Sequence, residues 1–193
     1  MVFATNNIGK IRELKDIFGE GNIVSLDEVG IKIDVLEDQD SFYGNASKKA
    51  RELYALINNP VIADDSGLCI DALDGFPGVL THRFLGENKT DEEINKAIID
   101  KCRNIKDRRA RVVCCLVYYD GVREVVAQGE IQGKIVKEPR GRNGFGFDSI
   151  FELEKGKTLA EIDSTIKNLC SARYLAAKEL KKKLEDIKIR KIR

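Results

Sequence analysis

A short apolar run that ends at two adjacent carboxylates is the feature that most constrains the fold of this chain. Residues 61–63 are Val-Ile-Ala, with a proline before them and Asp64 and Asp65 directly after them. This composition predicts a short buried strand that stops at the first aspartate. Ligands of α/β sheets sit beyond the strand ends, so the two carboxylates are placed to meet a metal ion. An ordinary turn is the alternative, because the following Ser and Gly, like Asp, favour turns.

Length and charge limit the class of protein. A chain of 193 residues is enough for about one domain with a substantial core, and we treat residues 1–193 as a single domain. The formal charge of +1 argues against a nucleic-acid-binding or membrane surface. We find no signal peptide and no apolar run near the roughly 20 residues of a spanning helix. We therefore expect a soluble, cytoplasmic protein.

Cysteine and histidine usage excludes several kinds of site. The five cysteines are scattered without a Cys-x-x-Cys pair, which indicates reduced, mostly buried thiols and not a disulfide framework or a zinc site. The single histidine, His82, argues against a His-based metal site or a Ser-His-Asp triad.

The N-terminus has the pattern of an anion-binding strand and helix. Residues 2–4 predict a strand, and Ile8, Ile11, Leu14 and Phe18 fall on one face of the helix that follows. Free N–H groups at a helix start favour anions, and the intervening Thr, Asn and Lys side chains add hydrogen bonds and charge. The Walker A pattern is absent. A plain helix cap with a surface lysine is the alternative.

Two further strands and a helix are predicted next. Residues 23–26 and 31–35 have strand character, the second with clear alternation, and an acidic loop containing Glu37 follows them. Ser41 is suited to cap a helix that runs to about residue 57 and carries Lys49. The alternative for the loop carboxylates is simple solvation.

The second half of the chain predicts a strand at residues 68–73, a helix at about 91–103 and a hairpin. The hairpin joins residues 111–119 to 122–136 across an Asp-Gly turn. A C-terminal helix begins after residue 171, with Leu175, Ala176, Leu180 and Leu184 on one side, and a basic tail covers residues 188–193.

The segment at residues 140–148 is suited to hold a nucleobase. Its three glycines let the backbone approach a ligand, Phe145 and Phe147 offer flat faces, and Asp148 can accept hydrogen bonds from base N–H groups. A flexible surface loop is the alternative. A nucleoside triphosphate with Mg²⁺ requires three things together: carboxylates for the cation, a polar helix start for the phosphates and an aromatic loop for the base.

With these segments assembled, the sequence resembles the inosine-triphosphate pyrophosphatase family over nearly its whole length. Six motifs carry the resemblance in the family's order: residues 3–10 (Phe-Ala-Thr-Asn-Asn-x-x-Lys), 45–50 (Asn-Ala-x-x-Lys-Ala), 63–68 (Ala-Asp-Asp-Ser-Gly-Leu), 75–78 (Gly-x-Pro-Gly), 144–151 (Gly-Phe-Gly-Phe-Asp-x-Ile-Phe) and 167–173 (Lys-x-x-x-Ser-x-Arg). The implied fold is an elongated α/β structure. A mixed sheet flanked by helices divides two lobes with a central nucleotide cleft, usually in a homodimer.

The resemblance implies Mg²⁺-dependent hydrolysis of ITP, dITP or XTP to the monophosphate and pyrophosphate. Asp65 would be the catalytic base and a metal ligand, and Glu37 the second metal carboxylate; an aspartate of ordinary pKa suffices beside a metal. The residues implied to hold the triphosphate are Thr5, Asn6, Asn7, Ile8, Gly9, Lys10, Lys49 and Ser66. Those implied around the nucleotide and its base are Phe145, Gly146, Phe147, Asp148, Lys167, Ala172 and Arg173.

Three positions depart from the family pattern. Ala172 replaces a common His, Ser149 a usual Pro, and Leu80 a usual Tyr. Ala172 makes base preference the least constrained property, whereas the predicted metal and phosphate groups are retained. The alternatives are a Maf-like pyrophosphatase acting on pyrimidine or modified nucleotides, and a nucleotide-binding regulator without catalysis. The Ser-x-Ser-x-x-Arg start typical of the former is absent.

Overall fold

The computed structural model describes residues 1–86 and 88–190, which form a six-stranded sheet and five α-helices. The strands are β1 (Val2–Phe3), β2 (Val24–Ser25), β3 (Val61–Ile70), β4 (Arg109–Tyr119), β5 (Glu124–Ile135) and β6 (Phe151–Glu152), in the order β2-β1-β3-β4-β5-β6. The helices are α1 (Ile8–Phe18), α2 (Phe42–Ile57), α3 (Asp91–Lys101), α4 (Ser164–Cys170) and α5 (Ala172–Arg190). β1 pairs in parallel with β2 and β3, whereas β5 and β6 are antiparallel, so the predicted mixed α/β sheet is confirmed.

The chain divides into two compact units. The first holds Met1–Asp65, Cys114–Gly129 and helix α5, and the second holds Ser66–Val113 and Glu130–Ser171. The two predicted lobes correspond to these units, and the nucleotide cleft stays a prediction. None of the helices in the described residues combines the length and the apolar composition needed to cross a bilayer.

In the first unit, α2 packs its inner face on alternate residues of β3. Ser41 caps the helix by accepting the Gly44 N–H at 3.1 Å. The apolar side chains of α2 and the sheet share one buried cluster, which contains Val2, Leu26, Ala46, Ala50, Leu53, Val61, Ala63, Cys115 and Val117. Positions 61 and 63 lie in this cluster because successive strand residues face opposite sides.

Two predictions in the first unit are wrong. Residues 31–35 form no strand, although Ile31 and Ile33 still pack against the α2 cluster. Their alternating sequence reflects a half-buried segment that pairs with no strand in the described residues. Ile8 is 73% exposed, so the buried face of α1 begins later, at Leu14 and Phe18.

Helix α5 also differs from its predicted face. Ala176 and Leu180 are buried as predicted, but Leu175 is 42% exposed. The predicted basic tail falls partly outside the described residues, which end at residue 190.

The second unit builds its glycine-rich segment next to α3. Thr90 and Glu93 form a reciprocal capping box that fixes the start of α3 at Asp91. Ile94 and Ile98 are buried as an apolar face requires. The helix ends two residues earlier than predicted, at Lys101.

Candidate active site

Strand β3 runs without interruption through both aspartates. It covers ten residues, Val61–Ile70, so the predicted stop at Asp64, the turn alternative and the separate strand at residues 68–73 are all wrong. The carboxylates lie in mid-strand and not in a crevice beyond a strand end. Asp64 is 1% exposed and Asp65 is 5% exposed. Polar partners from distant segments make this burial possible.

Asp64 is enclosed by two cations. Lys10 Nζ lies 3.0 Å from Oδ2 and 3.2 Å from Oδ1, and Arg173 donates from Nε and Nη2 to Oδ2 at 3.2 and 2.9 Å. Arg173 also donates to Glu13 at 2.9 Å. Burial alone would raise the pKa of Asp64, but Lys10, Arg173 and Lys49 hold it well below its usual range. Asp64 is therefore locked in its ionised form.

Asp65 has a different environment. Its Oδ2 accepts a hydrogen bond from Asn45 Nδ2 at 2.8 Å. Burial raises its pKa to about 6 against the opposing charge of Lys49, and the neighbouring carboxylates of Glu37 and Asp64 add to the rise. An aspartate of ordinary pKa would have sufficed beside a metal, but this one is shifted toward neutral pH. A carboxylate that titrates near neutral pH is suited to take a proton from water.

Without divalent cations, we expect Asp65 to make a contribution to stability that falls as pH rises. Its pKa is about 6 in the folded protein and 3.8 ordinarily, so the folded chain binds this proton more tightly. The contribution is complete below about pH 4 and is lost as the pH rises through 6, a change of about 3 kcal/mol. Because Asp65→Asn cannot ionise, it should be more stable than the wild type at about pH 7.5 by up to that amount.

Urea unfolding in EDTA between about pH 4 and pH 8 measures this difference. Asp120→Asn is a control that should change stability in the opposite direction, because the pKa of Asp120 is lowered. Burial would raise this pKa, but the hydrogen bonds from the Arg123 and Val122 N–H groups outweigh it. Parallel pH curves for the wild type and Asp65→Asn would contradict the expectation.

Glu37 and Lys49 form an ion pair beside these aspartates. Lys49, on α2, donates from Nζ to the Glu37 carboxylate at 2.7 Å. Burial would lower the pKa of Lys49, but Asp64, Glu37 and Asp65 together raise it. Glu37 is therefore not simply solvated, contrary to the alternative considered from the sequence.

The N-terminal segment adds polar groups to the same unit. Asn7 caps α1 by accepting the Lys10 N–H at 3.2 Å, and Thr5 Oγ1 accepts the Asn7 N–H at 3.2 Å. Lys10 is no surface lysine, since its side chain is 19% exposed and pairs with Asp64. A cavity of about 300 Å³ in this unit is lined by Thr5, Asn6, Lys10, Glu37, Lys49 and Asp64 among other residues.

Charge balance shows whether the first unit suits a divalent cation. The connected carboxylates outnumber the cations by one, with Glu13, Glu37, Asp64 and Asp65 against Lys10, Lys49 and Arg173. Across residues 1–86 and 88–190, no group of three or more His, Cys, Asp or Glu side chains forms a ready cage. Mg²⁺ usually binds through one or two carboxylates plus water and substrate phosphates, so Glu37 and Asp65 fit it as donors.

In the second unit, Asp148 organises the glycine-rich segment. Its Oδ2 accepts the Phe145 N–H at 2.9 Å and also bonds Lys167 Nζ. The Lys167 ammonium lies 4.5 Å from the centre of the Phe145 ring, and the Phe147 ring stacks on His82 at 6.4 Å. These contacts hold Phe145, Phe147 and Asp148 in place, which argues against the flexible-loop alternative for this part of the segment.

Gly144 is expected to tolerate no side chain. Its φ is +84°, and an added Cβ would overlap the Asp148 carboxylate and touch Lys167 Nζ. Gly156→Ala is a matched control, because Gly156 has φ +77° with open space around it. Both variants should lose about 1–2 kcal/mol to backbone strain, and Gly144→Ala should lose more. Thermal melts of both variants measure the difference, and equal losses would contradict the overlap.

The predicted site residues are thus divided between the two units. The first unit contains Thr5, Asn6, Asn7, Ile8, Gly9, Lys10, Glu37, Lys49, Asp65, Ala172 and Arg173, and the second contains Ser66, Phe145, Gly146, Phe147, Asp148 and Lys167. Ala172 is buried, and the guanidinium of Arg173 binds Asp64 and Glu13. A role of Arg173 at the nucleotide base stays a prediction.

Sequence reasoning missed several partners of these residues. Glu13 and Asn45 hold Arg173 and Asp65 from α1 and α2, and His82 stacks on Phe147. Buried polar residues on otherwise apolar helix faces were the available signal for Glu13 and Asn45.

Comparison with known proteins gives one consistent result. The sequence profile of the Ham1 family matches residues 1–183. The dITP/XTP pyrophosphatase of Clostridium tetani is 41% identical over 192 residues, covering 96% of each chain. That of Bacillus subtilis is 40% identical over 190 residues, covering 95% of this chain and 96% of its own.

Solved structures agree with the sequence matches. The Ham1 protein of Staphylococcus aureus superposes with a TM-score of 0.87 at 37% identity, covering 96% of this chain and 97% of its own. The resemblance inferred from the six motifs is confirmed, and the chain belongs to the Ham1 family.

Proposed function

We propose that this protein hydrolyses non-standard purine nucleoside triphosphates, namely ITP, dITP and XTP, to the monophosphate and pyrophosphate. Such an activity would keep deaminated purines out of DNA and RNA. One observation carries the proposal: a buried aspartate, Asp65, is held by Asn45 beside the Glu37 and Lys49 ion pair, and burial raises its pKa to about 6. Relatives about 40% identical that are named dITP/XTP pyrophosphatases support the substrate class.

Asp65 is the general base in this proposal. It accepts a proton from water as the water oxygen bonds to the α-phosphorus. The bridging P–O bond to the β-phosphate then breaks, and pyrophosphate leaves with the electron pair. Asn45 holds the Asp65 carboxylate in position, which keeps the base oriented without further ordering.

Glu37 and Asp65 would hold Mg²⁺, and Lys10 and Lys49 would bind phosphate oxygens. When bound, the cation supplies charge neutralisation and lowers the pKa of coordinated water. In the structure, Lys10 pairs with Asp64 and Lys49 pairs with Glu37. A substrate phosphate would therefore compete with these carboxylates for the two ammonium groups. We also propose a cytoplasmic location and a homodimer, and sedimentation of the purified protein would test the homodimer.

Base recognition is proposed on the second unit. The Phe145 and Phe147 rings offer stacking faces, and the Asp148 and Lys167 pair offers an acceptor and a donor. A site built around a 6-oxo group rejects the amino group of ATP because the buried donor is then left unpaired. Ala172 stands where the family pattern usually has a His donor, so this chain relies on fewer polar groups for selectivity than that pattern.

Pyrophosphate release from ITP, XTP, dITP, ATP, GTP, dTTP and UTP, with and without Mg²⁺, tests the function. We expect metal-dependent release from the first three and little from the others. Release that favours pyrimidines would support the Maf-like alternative. No release from any nucleotide would overturn the enzyme and leave a binding regulator.

A further inference from the structure

We propose that Asp91 and Asn95 are positioning residues that hold Gly146 by both of its peptide groups and so set the shape of the base-binding segment. This inference rests on the proposed function of that segment. Asp91 Oδ2 accepts the Gly146 N–H at 2.7 Å, and Asn95 Nδ2 donates to the Gly146 carbonyl at 2.8 Å. Both side chains come from the first two turns of α3, which the capping box fixes.

Gly146 is a residue whose conformation needs an external support. Its φ is +61°, in the left-handed region, and glycine loses the most conformational freedom on being ordered. It lies between Phe145 and Phe147, so its peptide planes determine where both rings point. Two hydrogen bonds from a rigid helix remove the alternative orientations of these planes.

Asn95 is costly to keep at this position. It is 4% exposed, and its Oδ1 is buried without a hydrogen-bond partner among the described residues. Burial of an unsatisfied acceptor opposes folding, and the hydrogen bonds that the same amide donates must offset this cost. Its Nδ2 donates to the Gly146 carbonyl and, over a longer distance of 3.3 Å, to Ser149 Oγ. Ser149 is the residue that stands in place of the usual Pro.

The surroundings of the tether are open to a ligand. A cavity of about 590 Å³ in this unit is lined by Asp91, Asn95, Phe145, Gly146 and Asp148 among other residues. The tether therefore forms part of the wall of the cavity that would receive the base. Its loss is expected to weaken binding of the base and to leave binding of the phosphates unchanged.

The test compares Asp91→Ala, Asn95→Ala and the conservative Asp91→Asn, which keeps an acceptor oxygen. For the two alanine variants we expect the KM for ITP to rise about fivefold with kcat within about twofold, as for loss of one hydrogen bond. The inhibition constant of inorganic tripolyphosphate, which has no base, should not change. Asp91→Asn should restore the KM. A thermal melt checks that Asn95→Ala stays folded, because the change removes the unsatisfied acceptor but also the two hydrogen bonds that Nδ2 donates.

Ser149→Ala is the control that removes only the longer Asn95 contact, and its KM should stay within about twofold. Equal changes for ITP and tripolyphosphate, or an unchanged KM in both alanine variants, would overturn the proposal. Amide hydrogen exchange of residues 140–150 tests the tether without relying on nucleotide hydrolysis, so it distinguishes failure of the tether from failure of the proposed function. Asp91→Ala should speed exchange at Gly146 even if the wild type hydrolyses no nucleotide, and unchanged exchange would also overturn the tether.

Discussion

Replacing Asp65 with asparagine is expected to reduce pyrophosphate release from ITP by at least about a thousandfold. Asn cannot take a proton from water, and its neutral amide is a poorer ligand for Mg²⁺ than a carboxylate. The side-chain volume and a hydrogen-bond acceptor for Asn45 are both retained, so the local packing should survive. Steady-state release of pyrophosphate with saturating Mg²⁺ measures the loss.

Two controls separate a chemical effect from an effect on folding. Asp71→Asn changes an exposed aspartate just beyond the end of β3 and should keep full activity. The Asp65→Asn protein itself should remain folded and, in EDTA near neutral pH, gain stability. Near-normal turnover in Asp65→Asn would refute its assignment as the base.

Replacing Arg173 with methionine is expected to lower the free energy of unfolding by about 3–5 kcal/mol. Methionine fills similar space but leaves Asp64 and Glu13, which are 1% and 3% exposed, without the guanidinium that pairs with both. A buried carboxylate that loses its counter-charge is far more costly than an exposed one. Urea unfolding at neutral pH measures the change.

Arg109→Met tests whether burial is the cause. Arg109 makes a close pair with Asp107, but at the surface, so water and salt replace the lost partner with little change in stability. Part of the loss in Arg173→Met should be recovered by adding Glu13→Gln, because Glu13 pairs with Arg173 whereas Asp64 keeps Lys10. Similar losses for Arg109→Met and Arg173→Met would contradict the argument.

Local patterns were sufficient to predict most elements of the fold. The Ser41 cap and the predicted helix at about 91–103 placed α2 and α3 within a few residues of their observed bounds. The strand at residues 31–35 failed because alternation indicates half-burial, and a ladder partner is a property of the fold. β3 was broken wrongly at Asp64 because local composition cannot reveal that Arg173 and Lys10 satisfy this carboxylate.

The candidate site was predictable by residue type but not by environment. The family resemblance singled out Asp65, Glu37 and Lys49, and the first unit does bring them together. The raised pKa of Asp65 could not be foreseen, because it depends on burial and on charges supplied from other segments of the chain. Asn95 was missed since its single polar side chain lies on a helix whose remaining inner residues are apolar.

Because β3 continues through Asp64 and Asp65, the pleat of the strand sends these two neighbours to opposite sides of the sheet. One side carries an acid fixed by Arg173 of α5, and the other carries an acid bonded to Asn45 of α2. Two neighbouring aspartates thus have opposite pKa shifts, because successive positions of the strand face different surroundings. Deleting a single residue from the first half of β3 would place Asp65 against the arginine, Asp64 in the apolar position of Ala63 and Ser66 against the amide.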